Sequence, residues 1–137
     1  MIEASIIRAA ALRLNPDCDL KKSLISYCEF YGIQAACIIS CVGSLRSLTI
    51  RFANKSNLTV IEEKFEIISL AGTISQHEAH LHISISDGEG KMLGGHLAEG
   101  SLIYTTCEIV IGILDDVVFK RELDSTTGYK ELKIYQK

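Results

Sequence analysis

From residue 33 onward, the chain is a succession of apolar, β-branched runs, and this pattern constrains the fold more than any other feature. The predicted strands are 33–42, 45–52, 65–74, 80–86, 92–98, 102–114, 117–122 and 129–135, with one earlier strand at 9–14. Gly43-Ser44 interrupts the first two as a bend or bulge. The short connections favour antiparallel pairing, because parallel strands need long crossovers.

One segment has helical spacing. Asp17 or Asp19 can cap its start, and Gly32 can end it after Tyr31. We therefore predict an α+β fold, in which one or two largely antiparallel sheets pack with one main helix at about residues 19–31. The 137 residues are the length of one domain, so we expect a single domain over 1–137.

The predicted strand 102–114 is apolar on both faces. One face carries Ile109 and Ile111, and the other carries Tyr104 and Val110. Such a strand is normally buried on both sides, and one helix cannot cover a whole sheet. The sequence therefore predicts an oligomer whose subunits cover each other.

Charge and hydropathy exclude several classes of protein. The net charge of −3 and the absence of a basic cluster larger than Lys21-Lys22 or Lys120-Arg121 disfavour an electropositive clamp for nucleic acid. No uncharged apolar run reaches the roughly 18 residues of a membrane helix, and the N-terminus lacks a signal-peptide layout. We expect a cytoplasmic protein without a membrane partner, whose five cysteines are reduced core residues.

All four histidines lie between positions 77 and 96. Alternation along the predicted strand 80–86 sends His80 and His82 to the same polar face. If Gly88–Gly90 form a three-residue hairpin loop, with Gly90 in the left-handed region, His82 lies directly opposite His96. A loop of two or four residues would turn His96 to the far face.

Three neutral imidazoles that converge with a fourth position open are typical of a catalytic-type zinc site, so the sequence predicts a divalent metal, most simply zinc, at His80, His82 and His96. Gly94-Gly95 would let a substrate or another chain come close. Glu66, Glu99 and Glu108 are candidates to orient these ligands or act as a base, and His77 is a loop residue. Surface or interface histidines on a polar strand face are the alternative.

No catalytic residue can be assigned from the sequence. Gly88-Glu89-Gly90 is not a dinucleotide fingerprint because no helix follows it, and neither a P-loop nor a nucleophile elbow occurs.

Several motifs occur in an order that resembles the plants-and-prokaryotes conserved (PPC) domain. They are VGSL at 42–45, FEIISLAG at 65–72, HLHISISDG at 80–88, GGHL at 94–97 and TGYKEL at 127–132. The resemblance implies an α+β fold and a homotrimer. Prokaryotic members commonly carry a DNA-binding label, because plant relatives join this domain to AT-hooks, whereas this sequence has no Arg-Gly-Arg-Pro hook.

The same resemblance extends to the histidines. His80, His82 and His96 are similar to the zinc ligands of prokaryotic members with a three-histidine site, and also to those of acetolactate decarboxylases. Three hypotheses follow. The chain is a trimeric zinc protein that polarises a small carbonyl or carboxylate ligand, as a lyase-like enzyme would; or it is a DNA-associated regulatory module without catalysis; or its metal is purely structural.

Overall fold

The computed structural model describes residues 2–137, and these residues form one helix and nine strands. The elements in chain order are β1 (Ile7–Leu14), α1 (Leu20–Tyr31), β2 (Ala36–Arg51), β3 (Thr59–Ile61), β4 (Phe65–Ile74), β5 (Ala79–Ser86), β6 (Met92–Leu97), β7 (Leu102–Leu114), β8 (Val117–Leu123) and β9 (Lys130–Gln136). The predicted α+β class, with a largely antiparallel sheet and one main helix, is confirmed.

A seven-stranded antiparallel sheet forms the body of the molecule. Its order is β1-β7-β2-β4-β5-β6, and β3 pairs with the end of β2. The same end of β2 also pairs with β6, through Ile50 opposite Leu97 and Arg51 opposite His96. Strands β2, β4, β5 and β6 therefore close into a ring, while β8 and β9 form a separate two-stranded ribbon.

The long strand β2 makes this closure possible. Two strands broken at Gly43-Ser44 were predicted, and the structure has one continuous strand with irregular register against β7 around that point. A Cβ at Gly43 would lie 2.7 Å from the Cα of Cys107, so only glycine allows the two strands this close. Because bulges bend a strand, β2 can pair with different strands at its two ends.

Helix α1 begins and ends where the sequence indicates. Asp19 is its N-cap, with the Lys22 amide donating to Oδ1 over 3.0 Å, and Gly32 ends it in the left-handed region at φ 65°. Asp17, the alternative cap, instead accepts a bond from Arg46. The buried helix residues are Leu20, Leu24 and Cys28. Tyr31, at the end of the helix, is exposed and packs on Tyr27 and Phe30.

The cysteines are free thiols, as expected, and three of them lie in the core. Cys28, Cys41 and Cys107 are buried, whereas Cys18 and Cys37 are only half-buried. The Sγ atoms of Cys41 and Cys107 lie 3.4 Å apart across β2 and β7. Burial raises the pKa of the Cys28 thiol to about 11.

Strand β7 buries one face within the chain and leaves the other partly open. Ile103, Cys107, Ile109, Ile111 and Ile113 are buried. On the opposite face Glu108 and Tyr104 are exposed and Val110 is half-buried. A single chain therefore covers only one of the two faces that the sequence predicts to be buried. No helix among residues 2–137 is long and apolar enough to cross a membrane.

Candidate metal centre

Three of the four histidines meet on the outside of the ring. His80 and His82 project from β5, and His96 projects from the neighbouring strand β6. A set of donor atoms, one from each ring, lies within 4.8 Å of one another. The ring centroids are 5.0 Å apart for His80 and His82, 5.2 Å for His80 and His96, and 5.9 Å for His82 and His96. The predicted convergence of His80, His82 and His96 is confirmed.

The hairpin between β5 and β6 has the predicted three-residue loop. The Asp87 amide donates to the Lys91 carbonyl over 2.9 Å, Gly90 has φ 82°, and His82 pairs with His96. The Asp87 carboxylate accepts bonds from the amides of Glu89 and Lys91, each over 2.9 Å, and these bonds hold its pKa below the usual range. The loop is therefore stabilised by its own side chain as well as by glycine.

Strand β6 is held on both sides. Gly94 lies against β5, where a Cβ would come 2.7 Å from the Ile83 carbonyl oxygen. Gly95 lies against β2, where a Cβ would come 2.8 Å from the Arg51 carbonyl oxygen. The expectation that these glycines make room for a substrate or another chain is wrong, because they make room for the neighbouring strands.

The site favours neutral imidazoles. Burial, followed by the positive charge of Arg121, lowers the pKa of His80. Burial, followed by the charges of Lys21 and Arg51, lowers the pKa of His96 to about 4. Neutral imidazole is the form that binds metal. The Nδ1 atom of His96 is buried and has no hydrogen-bond partner among the described residues, which is uncommon for a buried polar atom.

Of the three carboxylates predicted to assist the histidines, only Glu99 shares a cleft with them, and its carboxylate lies 3.8 Å from the Lys22 ammonium. Glu66 pairs with Ser86, at the opposite end of β5 from His80. Glu108 lies on β7, which does not adjoin β5 or β6. The structure therefore does not bring Glu66 or Glu108 to the histidines. His77 lines the same cleft without joining the cluster.

Sequence reasoning missed the charged residues around the histidines. Lys21 from α1, Arg51 from β2, and Arg121 and Glu131 from the β8–β9 ribbon line the cleft beside His80 and His96. These residues are up to 110 positions apart along the chain, from Lys21 to Glu131, and no local pattern links them. Only the packing of α1 and the ribbon against the sheet brings them together.

The sequence of the chain is similar to one described family over most of its length. Residues 1–115 match the model of the Plants and Prokaryotes Conserved (PCC) domain, the domain that the sequence motifs resemble. The chain is 40% identical over 128 residues to the bifunctional protein GlmU of Synechococcus sp. strain JA-3-3Ab, covering 93% of this chain and 21% of that protein. It thus spans about a fifth of that relative's length. AT-hook motif nuclear-localized protein 2 of Arabidopsis thaliana is 27% identical over 110 residues, covering 74% of this chain and 33% of that protein.

Two solved structures share the fold over nearly the whole chain. A hypothetical protein from Salmonella cholerae-suis has a TM-score of 0.96 and 39% identity, covering 98% of this chain and 97% of that one. The metal-containing protein AF0104 from Archaeoglobus fulgidus has a TM-score of 0.81 and 26% identity, covering 96% of this chain and 99% of that one.

Proposed function

The chain belongs to the Plants and Prokaryotes Conserved domain family, and within that family we propose that it is a small metal-binding protein in which His80, His82 and His96 hold a zinc ion. The convergence of three histidine donors within 4.8 Å carries this proposal.

The environment of the histidines suits a metal. Imidazole nitrogen is a donor that zinc prefers, and the low pKa values of His80 and His96 keep these rings neutral near pH 7. A metal ion bound at the unpartnered Nδ1 of His96 would satisfy this buried atom, which has no hydrogen-bond partner among the described residues. The fold relative AF0104 is itself described as metal-containing, which supports the same conclusion.

Three histidine ligands leave one coordination position open. When bound, zinc supplies Lewis acidity towards a carbonyl or carboxylate oxygen at that position. The chain's own contribution is to orient the three rings through the β5–β6 register and to present Arg121 and Glu131 from the ribbon. A lyase-like enzyme acting on a small carbonyl or carboxylate substrate is the catalytic form of this proposal.

We also infer a homotrimer, which the sequence motifs imply through their family resemblance. An exposed face across β1, β7 and β2 supports assembly, since Val42 is 60% exposed there beside Val110 and Ala11. Exposed apolar side chains on one sheet face are typical of a surface that a second subunit covers.

Metal content tests the zinc site directly. Protein purified without chelator should contain about one zinc per chain by mass spectrometry, and His82→Ala should remove most of it because three ligands become two. His77→Ala is the matched control, since that histidine lines the cleft but lies outside the cluster. An unchanged zinc content in His82→Ala, or equal losses in both variants, would contradict the proposed site.

The second candidate function is a DNA-associated module, favoured by the similarity to an Arabidopsis AT-hook protein. The acidic net charge of −3 argues against it. Binding through phosphate contacts is strongest at low salt and weakens steeply as salt rises. Saturable duplex binding with that dependence would support the candidate, and no binding at low salt would exclude it.

A further inference from the structure

A cleft of about 690 Å³ opens beside the histidines, between α1, the end of β2 and the β8–β9 ribbon. His80 and His96 lie in its wall. A second cleft of about 410 Å³ reaches His80 and His82 from the other side. Arg121 and Glu131 border both clefts, so they flank the histidine cluster.

The four cations that line this cleft, Lys21, Arg51, Arg121 and Lys130, lack a carboxylate partner among the described residues. Among residues 2–137, no carboxylate lies within 4.0 Å of their side-chain nitrogens. The two guanidinium groups instead donate to neutral acceptors: Arg51 to the Lys55 carbonyl over 3.3 Å, and Arg121 to the Thr73 hydroxyl over 3.1 Å. These hydrogen bonds hold both guanidinium groups in place without a carboxylate that would offset their charge. Each group also has N–H donors left for another acceptor.

Lys21 adds a positive charge to the cleft at the start of α1. It lies in the first turn of α1, which contains no acidic residue, and the helix dipole disfavours cations there. Lys21 and Arg51 also help to lower the pKa of His96, so their positive potential reaches the histidine cluster. A bound anion would offset the repulsion among these groups.

The charge of the cleft limits the size of that anion. Four basic side chains line it, but Glu78, Glu99 and Glu131 also do, which leaves an excess of one positive charge. A divalent metal would add two more. This balance suits a ligand with one or two negative charges. A polyphosphate or a nucleic-acid backbone would be repelled by the three carboxylates.

We propose that the cleft binds a small carboxylic acid, in which one carboxylate is held by Arg51, Arg121 and Lys21 while an oxygen of the same molecule faces the histidine cluster. This inference rests on the proposed metal site, because the metal would supply the second contact. Guanidinium groups bind carboxylates through paired, charge-assisted hydrogen bonds, which suits both arginines to the role.

The experiment is calorimetric titration of the zinc-loaded protein with L-malate, inorganic phosphate and the uncharged ester dimethyl malate. We expect malate to bind, phosphate to bind at least about 10-fold more weakly, and the ester not to bind. Arg51→Gln and Arg121→Gln should each weaken malate binding roughly 10-fold or more, the effect of losing one charge-assisted contact. Lys120→Gln is the matched control, because Lys120 precedes Arg121 and lies 5.3 Å from the Tyr135 ring centroid, outside the cleft.

The outcomes separate the two proposals. Zinc content is measured first for the wild type and for each variant. A wild-type protein without zinc would contradict the proposed metal site itself. If zinc is retained but malate does not bind, or binds both arginine variants as tightly as it binds the wild type, the carboxylate site is wrong and the metal site stands. Phosphate binding as tight as malate would overturn the assignment to a carboxylate. Should an arginine variant fail to fold, Lys21→Gln, a helix-surface change, provides the same comparison.

Discussion

At the scale of single residues, His96 is held in place by both neighbouring strands and by the core behind it. Its strand lies between two others, and the following residue, Leu97, is fully buried. Turning His96 away from the cluster would expose Leu97 to water, at a cost of about 1.5–3 kcal/mol for a leucine side chain. The position of His96 is therefore set by the core behind it.

We predict that Gly95→Ala destabilises the protein and lowers its zinc content. The added Cβ would lie 2.8 Å from the Arg51 carbonyl oxygen, so β6 must move away from β2, at a cost of roughly 1–3 kcal/mol. Gly88→Ala is the control, because nothing lies within 4 Å of its added Cβ. Chemical denaturation and metal analysis measure both effects, and similar behaviour of the two variants would refute the packing explanation.

At the scale of elements, Asp19 joins the start of α1 to the turn between β6 and β7. One carboxylate oxygen accepts from the Lys22 amide, and the other accepts from the Gly100 amide over 2.6 Å. We predict that Asp19→Ala lowers the free energy of unfolding by about 1–2 kcal/mol, the usual effect of losing a helix cap. Asp19→Asn keeps one acceptor and should lose less. A denaturation midpoint unchanged in Asp19→Ala would contradict this role.

The β5–β6 hairpin allows a sharper element-scale prediction. Inserting one glycine after Gly88 makes a four-residue loop, which on local grounds alone would turn His96 to the other face. We expect the zinc content to stay unchanged, because Arg51 still pairs with His96 and Leu97 still occupies the core. Loss of zinc in a folded insertion variant would mean that the loop, and not β2, determines the register.

At the scale of the whole molecule, the open face across β1, β7 and β2 bears on assembly. Light scattering should give about three times the chain mass for the wild-type protein. Val42→Lys should reduce this to the monomer mass, because a charge buried in an interface is costly. Leu123→Lys is the control, since Leu123 is exposed at the end of β8 in the β8–β9 ribbon. A monomeric wild-type protein would refute the trimer.

Much of the fold could be predicted from the sequence because its signals are local. Period-two alternation marks β5, Asp19 and Gly32 mark the ends of α1, and Gly90 marks the hairpin loop. The pairing of His82 with His96 could be predicted from a three-residue loop, and in the structure the pairing of β6 with β2 supports the same register. The three-residue strand β3 was missed, since it is too short to show a period.

The remainder was decided by tertiary structure. Strand β2 was predicted as two pieces, and its continuity depends on neighbours at both ends that the local pattern does not contain. Glu66 and Glu108 were candidates by residue type alone, and the strand order places them away from the cluster. Lys21, Arg51 and Arg121 reach the histidines only after α1, β2 and the ribbon have packed together. The sequence by itself thus determined most of the strands, the helix and the predicted histidine pairing. The charges around the histidines depend on long-range packing, because contacts between distant segments produce no periodic pattern in the sequence.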